Sequence, residues 1–165
     1  MKMKESISER EQAIQKVREL IKGIDVAMLT TISGEDGLVS RPMKTQEIEF
    51  DGDLWFVTMK DTAKFQEIRI SPSVNVSYAG QSYVSIRGKA EFVEDLEKKK
   101  EYWNKAYEKL LHASYDDPNV VLIKVHAETA EYWESGSIIK SAKLLLHQLT
   151  GAGGDSKLNE TVQLN

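Results

Sequence analysis

The sequence predicts a mostly β domain, β with peripheral α: a closed antiparallel barrel of six strands flanked by helices. Three observations carry that expectation. Residues 83–93 alternate cleanly, with Val84, Ile86, Gly88, Ala90 and Phe92 on one side and Tyr83, Ser85, Arg87, Lys89 and Glu91 on the other. One face is therefore buried and one is wet, as in an antiparallel sheet. Shorter β-branched, apolar runs recur on both sides of it, and Asp51-Gly52 and Gly80-Gln81-Ser82 supply turns between them.

In chain order, 7–21 reads as a helix, because Ile7, Ile14, Val17 and Ile21 fall on one stripe. Ser6 or Ser8 is placed to cap its start, and Gly23 to stop it. Residues 26–32 form a first strand, 33–37 a hairpin loop with two glycines, and 38–50 a long second strand. The third strand, 54–59, sets Trp55 and Val57 against Phe56 and Thr58. Asp61 or Thr62 then caps a short helix to 70, ended by Ser71-Pro72, since the residue before proline avoids the helical region. Residues 74–79 and 83–93 are the fourth and fifth strands. One long helix is expected over 95–111, with Leu96, Trp103, Ala106, Tyr107 and Leu110 inward. After the Asp116-Asp117-Pro118 turn, 120–125 and 129–133 form the last strand or a bent pair, and 138–149 fits a third helix. Residues 1–150 thus make one domain, and the glycine-rich, polar stretch 151–165 reads as a flexible tail.

Composition removes several function classes. A net charge of −4 without a basic stripe argues against nucleic acid as the main partner. The absence of cysteine excludes disulfides, thiolate metal sites and cysteine nucleophiles. No apolar run approaches the ~18 residues of a membrane span. No apolar segment follows the first lysines as in a secretory signal, so the expected compartment is the cytoplasm. His112, His126 and His147 stand at no metal-ligand spacing, so no metal site is expected. Gly151-Ala152-Gly153-Gly154 follows no strand and is not a dinucleotide fingerprint.

The remaining chemistry concentrates between Arg41 and Lys64. Arg41 lies mid-strand, and Lys64 sits in the first turn of a helix. A cation there opposes the helix dipole unless an anion is held at the same place. A lone strand arginine is most often solvated, and a lysine often is. Two cations, the Thr62 hydroxyl and free helix N–H groups together make a phosphate site. On an antiparallel barrel such a site points to a nucleotide-like cofactor, for which flavin mononucleotide (FMN) is the best candidate. Pro42 places its strand at an edge or beside a bulge, where free backbone groups can meet the alternating donors and acceptors of a flavin ring; protecting a sheet edge is its plainer role. If Arg41 faces solvent, Arg41→Ala leaves fold stability nearly unchanged. Trp55 reads as core, Trp103 fits core or interface, and Trp133 stands where aromatics anchor interfaces or cover ligands.

Arg41-Pro42-Met43, Leu54-Trp55-Phe56-Val57-Thr58, Thr62-Ala63-Lys64, Tyr83-Val84-Ser85-Ile86-Arg87-Gly88, Asp116-Asp117-Pro118 and Glu131-Tyr132-Trp133 stand in an order that resembles the pyridoxamine 5′-phosphate oxidase-like FMN-binding split barrels, in particular their general stress protein branch. The resemblance runs from about residue 7 to 149. It implies a six-stranded antiparallel split β-barrel and a homodimer with FMN in the inter-subunit clefts. Arg41 and Lys64 would hold the phosphate with Thr62 assisting. Pro42 and Met43 would lie along the isoalloxazine, and Val57 and Thr58 would contact it. Trp133, with Trp103, would approach from the partner subunit.

The chain departs from the true oxidases, which carry glutamine and arginine at the positions of Tyr83 and Ser85, and an Arg-x-His element where this chain reads Glu134-Ser135-Gly136-Ser137-Ile138. FMN binding is therefore expected more than vitamin B6 oxidation. The expectation is an FMN-dependent oxidoreductase of unknown substrate, or a non-catalytic flavin-binding stress protein or sensor. A split barrel holding deazaflavin F420 or haem is the alternative. No residue is assigned a catalytic role.

Overall fold

One antiparallel sheet organises the chain. The computed structural model describes residues 2–134 and 160–165, and the side chains of 8–134 and 160–165. The strands are β1 (Val26–Ser33), β2 (Gly37–Lys44), β3 (Asp53–Met59), β4 (Ser73–Ala79), β5 (Ser82–Val93), β6 (Val120–Glu134) and β7 (Glu160–Gln163). The helices are α1 (Lys2–Ile21), α2 (Ala63–Ile70), α3 (Leu96–Tyr102) and α4 (Lys105–Leu111). The hydrogen-bonded order is β2-β1-β4-β5-β6-β3, with β7 added on β6. The ends of the path, β2 and β3, approach one another without pairing among the described residues. The result is the split barrel with flanking helices.

β6 holds the two halves together. Its residues 120–126 lie between β3 and β5, whereas 129–134 pair with β5 and, over 129–132, with β7. Between the halves the register shifts at Arg87/Gly88, leaving Glu128 as the extra residue of a bulge. A Cβ on Gly88 would stand 2.1 Å from the His126 carbonyl oxygen, so only glycine permits this approach. The Glu128 carbonyl accepts a hydrogen bond from the Leu164 N–H at 2.8 Å.

Alternation sends one face of every strand inward. Leu29, Phe56, Val76, Ile86, Ile123 and Val125 form the main core, closed by Ile14 and Val17 of α1 and by Leu164. Each such side chain contributes roughly 1.5–3 kcal/mol by leaving water. The opposite face of β3 supports a smaller cluster in which Val57, Val120 and Leu122 pack on Tyr107, with Trp55 and Trp103 at its margin.

Several sequence expectations are corrected. The second strand ends at Lys44, not at 50, because its partner β1 begins at Val26; beyond it, Thr45 donates its N–H to Asp25 and its hydroxyl to Ile24. The helix over 95–111 is two helices. Trp103 closes α3, and the Asn104 side chain caps α4 by accepting from the Ala106 and Tyr107 N–H groups. The break rotates the expected inner stripe, leaving Leu96 and Leu110 exposed. α1 starts at Lys2, so Ser6 and Ser8 lie inside it and cap nothing. Of the two alternatives for 120–125 and 129–133, the single last strand is the one formed, bent at its bulge. The tail expected over 151–165 ends in a seventh strand, β7, with Leu164 fully buried behind it. The helix expected over 138–149 lies outside the described residues.

Candidate functional site

Alternation in β2 turns Arg41 inward, opposite Leu29, while Pro42 faces outward opposite Met28. The inward side chain meets α2. Its Nη1 donates to the Thr31 hydroxyl at 2.6 Å and its Nη2 to the Glu67 carboxylate at 2.8 Å. Thr31 in turn donates to the same Glu67 oxygen at 2.5 Å, closing a triangle. Thr31 is buried, and the Arg41 and Glu67 side chains are only 18% and 15% exposed. The hydrogen bond from Thr31, with the charges of Arg41 and Lys64, holds the Glu67 carboxyl below the usual carboxylate range against its own desolvation. Lys64, one helical turn before Glu67, has its pKa lowered by burial and then by the Arg41 charge, opposed by Glu67 and Asp61. Two cations and the Glu67 carboxylate thus meet here, with Asp61 acting on Lys64 from the preceding turn.

The start of α2 adds donors. Thr62 is its N-cap residue in extended geometry, but its hydroxyl turns back and donates to the Met59 carbonyl at 2.8 Å, so no side chain caps the helix. The first helical N–H groups have no partners within a helix, and no acidic residue occupies this first turn. A guanidinium carries five N–H donors, of which Arg41 uses one toward Thr31 and one toward Glu67. The donor set and the two part-buried cations suit an anionic oxygen group such as a phosphate ester.

Of the residues singled out by sequence, Arg41 and Lys64 come together, with Thr62 at the same helix start. Met43 is buried in the main core, Val57 in the smaller cluster, and Thr58 is buried on β3. Pro42 lies exposed on β2, at one end of the hydrogen-bonded path, and the pairing runs through it without a bulge. Trp103 stacks 5.5 Å from Tyr107, and its buried Nε1 has no hydrogen-bond partner among the described residues. Trp133 pairs with Tyr83 on the outer face of the sheet, opposite to the face of Arg41. Within one chain it does not join the cluster. Thr31 and Glu67 were missed. Glu67 was findable, since three residues after Lys64 is the same helix face.

Two clefts lie away from this cluster. One of about 630 Å³ is walled by Trp55, Tyr102 and Phe56, with charges of both signs at its mouth. Another of about 570 Å³ separates 44–48 from Trp103. Neither includes Arg41 or Lys64, so the anion site rests on its donors rather than on cavity size. Ser85 accepts from Asn75 at 2.9 Å on the outer face, and Glu134 pairs with Lys16 at 2.7 Å. Among the histidines, His126 has both ring nitrogens engaged by carboxylates, His112 ends α4 in the left-handed region, and His147 lies outside the described residues. Among the described residues, no helix is long and apolar enough to cross a membrane.

The architecture and the cluster together define a split barrel with two part-buried cations on its inner face. The chain belongs to the pyridoxamine 5′-phosphate oxidase-like family, whose model matches residues 12–155. General stress protein 26 of Bacillus subtilis (strain 168) is 29% identical over 85 residues, which are 48% of this chain and 60% of that protein. The chain therefore spans less than two thirds of that curated relative. The crystal structure of the General Stress Protein 26 from Bacillus anthracis str. Sterne superposes with a TM-score of 0.63 at 27% identity, covering 72% of this chain and 92% of that one. The general stress FMN/FAD binding protein from Xanthomonas citri gives a TM-score of 0.66 at 25% identity, covering 77% and 92%.

Proposed function

We propose that this protein binds flavin mononucleotide, with the phosphate held by Arg41, Lys64 and the first N–H groups of α2. The observation that carries the reading is the pair of part-buried cations, Arg41 paired with Glu67 and Lys64 without an ion-pair partner among the described residues, at a helix start with no side-chain cap. The Xanthomonas citri relative, an FMN/FAD binding protein, supports the same class of ligand. In this reading Pro42, Met43, Val57 and Thr58 would be the residues that hold the isoalloxazine. Met43, Val57 and Thr58 are buried, so their contribution is backbone contact and shape. Thr62 orders the helix start, its hydroxyl holding the Met59 carbonyl.

The same reading makes the protein a cytoplasmic homodimer. Val26, Met28, Ile32, Leu38 and Tyr83 are large exposed apolar residues of β1, β2 and β5. They surround a stripe of small polar side chains tied to one another, Thr30 to Ser40 and Asn75 to Ser77 and Ser85. A second copy on this outer face would cover Trp133, which pairs with Tyr83 there. Trp103 offers an unpaired indole N–H to an acceptor.

A bound flavin supplies the electron chemistry, and the chain supplies binding and orientation. The fitting activity is a flavin-dependent oxidoreductase whose substrate is not pyridoxamine phosphate, since Tyr83 and Ser85 replace the glutamine and arginine of the oxidases. Titration of FMN into the purified protein, followed by fluorescence quenching, tests the reading. A dissociation constant weaker than about 1 mM, only about −4.1 kcal/mol, ends it.

A further inference from the structure

Arg41, the residue that reads as the principal phosphate ligand, is already bound to an anion within its own chain. Its guanidinium donates to Glu67 at 2.8 Å, and Thr31 ties both partners. Glu67 is part-buried, its side chain 15% exposed beside Arg41 at 18%. Lys64, on the same face of α2, has no ion-pair partner among the described residues, and the Glu67 and Asp61 charges both act on it. We infer that Glu67 is an affinity-setting residue of the flavin site: its carboxylate holds Arg41 in place as a resident counter-anion and by its own charge weakens the binding of a phosphate dianion.

The inference rests on the flavin-phosphate reading above and deepens it. The physical chain is short. A phosphate ester near Arg41 stands within a few ångströms of Glu67, and a like charge at ~4–6 Å disfavours the charged form of its neighbour by tenfold or more. The neutral amide of glutamine still accepts from Thr31 and Arg41, so Glu67→Gln removes the repulsion and leaves the hydrogen-bonded frame. Riboflavin shares the ring system and lacks the phosphate, so it does not feel the change.

The experiment titrates FMN, riboflavin and inorganic phosphate into the full-length protein, Glu67→Gln and Arg41→Ala, each at low and high salt. Glu67→Gln is expected to bind FMN and inorganic phosphate about tenfold more tightly at low salt. The gain should shrink at high salt, and riboflavin should bind as it does to the unaltered protein. A purely structural role for Glu67 would move riboflavin together with FMN and show no salt dependence. Equal or weaker FMN binding by Glu67→Gln, with Arg41→Ala still impaired, overturns the inference and leaves the flavin site standing. FMN binding that is absent or indifferent to Arg41 removes the flavin reading itself. In that case inorganic phosphate decides, and equal phosphate affinity in Glu67→Gln and the unaltered protein overturns the inference as well.

Discussion

Two charged clusters hang on this sheet, one around Arg41 and one around Asp53, and they differ in how far water reaches them. In the second, Asp53 of β3 pairs with Lys124 at 3.4 Å and His126 at 2.8 Å on β6, and Glu91 of β5 reaches His126 at 3.2 Å. There His126 and Glu91 are 46% and 55% exposed. In the first, Arg41 and Glu67 are 18% and 15% exposed, and Lys64 beside them has no ion-pair partner among the described residues. Similar side chains therefore do different work. Where solvent enters, ion pairs lace neighbouring strands at small net gain. Where α2 closes over the barrel, a part-buried cation without an ion-pair partner can attract an anion.

The comparison is broken most severely at the backbone. Gly88 allows the bulge that sets His126 beside Glu91 and Asp53, and its missing Cβ would collide with the His126 carbonyl at 2.1 Å. Gly88→Ala should cost about 3 kcal/mol or more, at the upper end of overpacking effects. Urea denaturation measures this. A loss below ~1 kcal/mol would mean that β5 and β6 separate easily and that the bulge is not a fixed register point.

Next in size is Arg41→Ala. The sequence expectation of an almost unchanged fold assumed a solvated arginine, and the structure replaces that premise. Glu67 and Thr31 would be left with unmade hydrogen bonds at a part-buried position, a loss of roughly 1–3 kcal/mol in stability. FMN affinity should fall by about tenfold or more, since a charge-assisted contact is worth roughly 1.5–3 kcal/mol. Lys64→Ala sharpens the contrast. It too should weaken FMN by about tenfold, but the fold should stay within about 0.5 kcal/mol, because Lys64 gives up no ion pair and relieves the repulsion from Arg41. Thermal melts paired with FMN titrations separate the two. Equal stability losses would show that Lys64 is structural.

Part of this was legible in the chain. Alternation in 83–93 and the clustering of β-branched residues announced the sheet, and the nearness of Arg41 to Lys64 was expected, because a cation in a first helical turn needs a reason. Asn104 inside an expected helix was a readable break, since asparagine favours the N-cap over the interior. β7 was not readable: Glu160–Gln163 is short and polar, and only the free edge of β6 beyond the bulge makes it a strand. The end of the second strand at Lys44 was equally hidden, being set by where β1 starts rather than by any residue between 45 and 50. Thr31 looked like one more strand threonine, and its role emerges only when α2 folds over it.

Acid sharpens the comparison with a smaller effect. Glu67 titrates below its ordinary value of 4.5 in the folded protein, first through the Thr31 hydrogen bond and then through Arg41. The folded state therefore holds this proton more weakly than the unfolded state. The stabilisation is fully present above pH 4.5 and is lost as pH falls through the lowered folded value. The stability difference between the unaltered protein and Glu67→Gln, measured by urea denaturation from neutral pH downward, should hold to about pH 4.5 and shrink below it. A difference independent of pH would mean that packing, not charge, distinguishes the two side chains.

The smallest effect belongs to the second cluster. His126→Ala removes contacts to two carboxylates, both at the edge of solvent, and should cost no more than about 1 kcal/mol. Its effect on FMN affinity should be nil. The strand register explains why: His126 sits in β6 opposite Asp53 and Lys89, whereas Arg41 lies on β2, whose hydrogen-bonded partner is β1. Charge at the second cluster therefore has solvent, rather than the barrel interior, to spread into. A His126→Ala protein that loses flavin affinity while keeping its melting temperature would show that the clusters communicate through β6, and the division between an exposed and a part-buried set of ion pairs would fall.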